Sequence, residues 1–206
     1  MRKAVFTILI LFIGGMSFAQ RFPSQIWHPG KLVLLEGDTL KGEVMYNQET
    51  DLIQYTDNSQ RTIQTFTARK LLFFEIFDDS QGSYRQFYSI PFNLSGDYKA
   101  PIIFELIREG ANLTMLSREA IENKIVTYPY AVGGTYTRTE LVYTYFFLKP
   151  DGSITRFNGK KKELIWLMRK KSDQIKKYIK SEGLRMDRRS DLVKLVAYYN
   201  SLFDNA

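Results

Sequence analysis

The 206-residue sequence predicts an α+β protein: an antiparallel β-sandwich or barrel of about ten strands, with three C-terminal helices packed against it. Three observations predict it. Up to residue 158 the apolar residues fall in short strand-like runs, separated at close intervals by Gly, Asp, Asn and Ser turns. From residue 159 they recur instead at helical spacing. The charge changes at the same point, since residues 20–158 hold 14 basic and 16 acidic side chains whereas residues 159–206 hold 13 and 6. The chain therefore divides into a leading segment 1–19, a β-rich body 20–158 and a helical, basic segment 159–206 that belongs to the same fold.

Taken in order, Arg2 and Lys3 precede an apolar run over residues 4–13, followed by Gly14, Gly15 and Ser17-Phe18-Ala19. This is the pattern of a secretory signal peptide, with cleavage predicted between Ala19 and Gln20. The run is shorter than the roughly 20 residues that span a bilayer, and no later stretch approaches that length, so no transmembrane segment is expected after cleavage. The expected location is periplasmic, outer-membrane-associated or secreted. The chain has no cysteine, so the core alone must hold an exported fold, and lipid cannot be attached through cysteine.

Residues 20–30, with Pro23, Pro29 and the only histidine, His28, read as a leader. Residues 31–36 and 40–46 are strands around a Gly37-Asp38 turn. Leu52, Ile53 and Tyr55 begin a third strand, Ile63 and Phe66 mark a fourth, and residues 71–77 a fifth. Residues 84–92 suit a strand near a sheet edge, because Pro91 cannot donate to a ladder. Residues 102–107 and 113–116 form a hairpin across Glu109-Gly110-Ala111-Asn112, whereas residues 121–128 fit a strand or a helical turn. Residues 139–148 have bulky side chains on both faces, which predicts a central strand covered on both sides. Lys149-Pro150-Asp151-Gly152 then turns residues 154–157 back upon it.

In the tail, Leu164, Ile165, Leu167 and Met168 predict an amphipathic helix over residues 161–171. Ser172 or Asp173 caps a second, with the stripe Ile175, Tyr178 and Ile179 and a stop at Gly183. Ser190 or Asp191 begins a third, whose stripe is Leu192, Leu195, Val196, Tyr199, Leu202 and Phe203. Six such side chains represent on the order of 10 kcal/mol of gross burial, so the helices must dock on the β body.

This order of features, with the early strand pair around Leu35-Glu36-Gly37-Asp38-Thr39-Leu40 and the helical end Asp191-Leu192-Val193-Lys194-Leu195-Val196-Ala197-Tyr198-Tyr199-Asn200, resembles the small exported proteins of unassigned function common in Bacteroidota. The resemblance implies an envelope or secreted location and carries no functional residues.

Catalytic chemistry has few candidates. Without cysteine and with His28 alone in a proline-flanked segment, nucleophilic triads and histidine-based zinc sites lack their parts, so no catalytic residue, metal or cofactor is expected. Residues 78–83 lack the terminal glutamate of a calcium loop, and Gly133-Gly134 lacks the ending of a phosphate loop. Glu105 and Glu109 share strand parity and are the candidate carboxylate pair. The candidate ligand-binding residues are Tyr128, Tyr130 and Tyr136, three rings in a glycine-containing segment that reads as a long loop. The basic tail offers contact with an anionic surface, and export makes nucleic acid an unsuitable partner. The function expected is noncatalytic binding or interaction with an envelope polysaccharide, lipid or protein. The alternatives are a β-barrel carrier of hydrophobic ligands and a carboxylate-dependent enzyme acting on envelope polymers.

Overall fold

A computed structural model describes residues 26–57, 62–95, 98–127 and 134–204. The segment expected to be an export signal, most of the expected leader, Tyr128 and Tyr130 lie outside the described residues. The N-terminal strands are β1 (His28–Leu34), β2 (Thr39–Asn47), β3 (Leu52–Thr56), β4 (Ile63–Thr67) and β5 (Leu71–Asp78). They are followed by β6 (Ser83–Ser95), β7 (Tyr98–Arg108), β8 (Thr114–Thr127), β9 (Thr135–Leu148) and the short β10 (Ile154–Arg156). Three helices close the chain: α1 (Lys161–Leu167), α2 (Ser172–Ser181) and α3 (Arg189–Asp204). All ten strands belong to one antiparallel sheet in the order β10-β9-β8-β7-β6-β5-β1-β2-β3-β4. The sheet does not close, so the open, sandwich-like arrangement holds and the barrel does not.

The sheet curls instead. Tyr46 of β2 lies three strands from Phe87 of β6, which in a flat sheet is roughly 14 Å, yet their ring centroids are 5.7 Å apart. Gly30 and Gly42 face one another where β1 meets β2. A Cβ on Gly30 would come within 2.3 Å of the Glu75 carbonyl oxygen, and one on Gly42 within 2.4 Å of that of Thr56, so only glycine admits the close approach. Leu32, Val44, Ile53, Phe74 and Ile103 fill the resulting concavity. On the opposite face Phe92 of β6 reaches Phe146 of β9 at 5.6 Å, over Phe104 and Leu116. The two halves of the sheet therefore bend in opposite senses.

The helices cover the remaining part of the first face. Leu164, Met168, Ile175, Leu192, Leu195 and Val196 are buried against Met115 and Phe147 of the sheet and against Leu113 and Phe157, which adjoin its strands. α1 is shorter than its apolar pattern, ending at Leu167 before a 3₁₀ turn over Arg169–Lys171. Neither Ser172 nor Asp173 caps α2 through its side chain; Lys171 occupies that position, and Asp173 lies in the first turn, where the helix dipole favours it. Gly183 follows α2 at φ +60°, as its stop requires.

Three positional expectations change. His28 is a buried residue of β1 opposite Val44, so the strand starts within the predicted leader. β9 is next to the edge strand, and only its end, at Phe146 and Phe147, is buried on both faces. Its first half forms a two-stranded ribbon with β8, paired through Thr127↔Thr135, beyond the last β7–β8 pair at Glu105↔Ser117. β6 is interior, but β5 pairs with it only as far as Tyr88, so Pro91 stands opposite Pro101 on a stretch bordered by β7 alone. The missing donors thus fall where the outer side has no strand.

Candidate binding site

β10 and α1 diverge after Phe157 and leave a cleft of about 500 Å³ between the sheet edge and the helix. Phe147, Phe157 and Leu164, all buried, form its floor, and Leu167 and Trp166 line the helical side. Thr155 and Arg156 line the strand side. The turn into β10 is built by Gly152 at φ +79° and by Asp151 Oδ1, which accepts from the Ser153 N–H at 2.9 Å. Glu163 Oε2 accepts the Asn158 N–H at 3.0 Å, which fixes the approach to α1.

Trp166 sits off the apolar stripe of α1 and is 57% exposed. Lys149 Nζ is 5.4 Å from its ring centroid and the Arg169 guanidinium 5.3 Å, so the indole carries two cation–π contacts of about 0.5–1 kcal/mol each. Beyond Leu167 a second hollow, of about 250 Å³, is lined by three cations, Lys149, Arg169 and Lys170, with Asp151 and Tyr199. An apolar cleft thus adjoins a cationic one across a shared wall. Arg156, Lys160, Lys161 and Lys162 border the first cleft or the start of α1, and none of them joins an ion pair found among the described residues.

The predicted carboxylate pair is separated. Glu105 is buried on the helix-facing side, whereas Glu109 is exposed after the strand. An irregularity between Leu106 and Arg108 shifts the register and ends the parity that the spacing implied. Glu105 instead accepts from Arg85 Nε at 2.9 Å and Nη2 at 3.0 Å. Arg85 also meets Asp78 at 3.3 Å and pairs closely with Glu119, while Arg189 of α3 approaches Glu105 at 3.6 Å. Gln48 Nε2 donates to the second Glu119 oxygen. Burial by itself lowers the Arg85 pKa, but the hydrogen bonds and charges of Glu105 and Glu119 outweigh it and raise it. The cluster joins β5, β6, β7, β8 and α3, and its carboxylates are turned onto one guanidinium. Ser117, directly opposite Glu105, has a buried hydroxyl with no hydrogen-bond partner among the described residues.

Tyr136 lies within β9, exposed and opposite Val126. It is eleven residues from Phe147, roughly 36 Å along an extended strand, and so stands at the far end of β9 from the cleft. Sequence reasoning did not select Trp166, Arg85 or Glu119. For Trp166 the signal was present, as a large ring outside the stripe of its own helix. Among the described residues, no helix is long and apolar enough to cross a membrane. Comparison of the chain with protein-family models, curated proteins and solved structures finds no match.

Proposed function

We propose that this chain is a noncatalytic binding protein of the cell envelope that takes its ligand in the cleft between β10 and α1. The observation that carries the reading is the cleft itself: an apolar floor of Phe147, Phe157 and Leu164 beneath an exposed indole and a cationic rim. Binding pockets combine a largely apolar lining with a few placed polar groups, and tryptophan and arginine are prominent among residues that anchor partners. Glu163 is the acidic residue of the lining, and its carboxylate already accepts from Asn158, which supports binding over acid–base chemistry. The ligand is amphiphilic and anionic, with an apolar group on the floor and its charge toward Lys162 or the Lys149–Arg169 side.

The envelope location is supported by Arg2, Lys3, the short apolar run and Ser17-Phe18-Ala19, together with the resemblance to exported Bacteroidota proteins. Protein recovered from its native host should begin at Gln20 by N-terminal mass analysis. An intact Met1 would remove the basis for that location. For the cleft, 8-anilinonaphthalene-1-sulfonate serves as a simple apolar anion. It should bind the full chain, and Trp166→Ala should weaken it at least tenfold with an unchanged melting temperature, because Trp166 is largely outside the core. Equal affinity in the variant would place the dye elsewhere and sink the assignment.

A further inference from the structure

The cleft lies beside a strand that, among the described residues, has no neighbour on one side. β10 closes the sheet order, and among the described residues its three residues pair only with β9. The Phe157 N–H donates to the Tyr145 carbonyl and the Lys149 N–H to the Ser153 carbonyl. Backbone groups alternate in direction along a strand, so Ser153, Thr155 and Phe157 face β9. Ile154 and Arg156 then direct one donor and one acceptor each to the open edge. A sheet edge left in this state is a template for another extended chain.

The side chains set what such a chain must carry. Thr155 and Phe157 are on the cleft side of β10, so every second residue of an added strand would enter the space above Phe147 and Leu164. Its intervening residues would stand on the opposite face with Arg156. Lys160, Lys161 and Lys162 are exposed at the end of the groove and outside any ion pair found among the described residues. A second copy of this chain pairing edge to edge would bring these cations against their own kind, whereas an acidic chain would neutralise them.

We propose that the partner is an extended acidic peptide segment that adds as a strand along β10, with an aromatic or branched apolar side chain in the cleft and carboxylates on Arg156 and Lys162. This rests on the cleft being the binding site, and the test separates the two. A random heptapeptide library is panned on the full chain, with the Trp166→Ala variant as counter-selection. An enriched peptide is then synthesised with its native backbone and with N-methyl groups at alternate residues. The expected result is enrichment of acidic sequences with one large apolar residue, binding at least tenfold weaker after N-methylation, and a similar loss in an Arg156→Glu, Lys162→Glu variant that melts like the parent. No enrichment, enrichment of basic peptides, or an N-methylated peptide that binds equally well would overturn the inference. So would binding to vesicles of anionic phospholipid by a chain that retains no peptide. If the dye titration succeeds while the peptide arm fails, the cleft stands and only the peptide is wrong; if both fail, both readings fall.

Discussion

Asn200 engages its whole amide in joining α3 to the β7–β8 turn. Its Oδ1 accepts the Asn112 and Leu113 N–H groups at 2.8 and 3.1 Å, and its Nδ2 donates to the Leu113 and Val196 carbonyls at 2.9 and 2.8 Å. Gly110 makes room for it, since a Cβ there would lie 2.2 Å from Nδ2. Asn200→Leu would keep the approximate volume and leave several partly buried backbone groups without partners, at about 1–3 kcal/mol for a buried group so stranded. A loss of about 3 kcal/mol is expected in urea unfolding. A loss below about 1 kcal/mol would mean that the turn finds other partners, and that the amide is not what docks α3.

At the scale of elements, the strands and helices were legible where apolar spacing alone determines them. Leu192, Leu195, Val196 and Tyr199 are buried as their stripe requires, and Leu202 and Phe203 are partly buried against the same cluster. The ambiguous residues around Ile121 are strand because their backbone pairs with β9 over a long ladder, a non-local fact that no window of sequence contains. The bulky faces of residues 141–148 were read correctly as side-chain character and incorrectly as position. Helices cover Phe147 and the Phe104 cluster covers Phe146, while Tyr143 remains 36% exposed. The carboxylate pair failed for a local reason, the irregularity after Leu106, which spacing cannot report. The cleft was illegible for a different one. Its residues were visible singly, but its existence depends on where α1 lands relative to β10.

At the scale of the molecule, the buried ionic centre lies between the curled N-terminal half and the helix-covered C-terminal half. Three carboxylates and a guanidinium out of water are costly unless each is paired, so removing one partner of the cluster costs more than the pairing itself adds. Its pH dependence follows from Asp78. Burial alone raises that carboxyl, but hydrogen bonds from Ser80 and the Arg85 guanidinium outweigh it and hold it below the ordinary aspartate range. A depressed carboxyl contributes fully above its unfolded value of about 3.9 and loses that contribution as pH falls through the lower folded value. The Asp78 contribution to unfolding free energy should therefore be constant from pH 7 to about 5 and decline below about 4. Urea unfolding across that range should show a shallower acid decline in Asp78→Asn, and an identical slope would remove Asp78 from the account. The strand order has one more consequence, for the folding pathway. Every neighbouring pair in the sheet is also consecutive in the chain except β1 and β5, matched from Gly30↔Ile76 to Leu34↔Leu71. The sheet is thus two zippers, β1 to β4 and β5 to β10, each able to form by local closure. They are fastened by one seam whose loop of about 40 residues costs about 3 kcal/mol of chain entropy to close. The first zipper emerges from synthesis complete but with an unmatched border, and it acquires its place in the molecule only when Leu71 to Asp78 arrives.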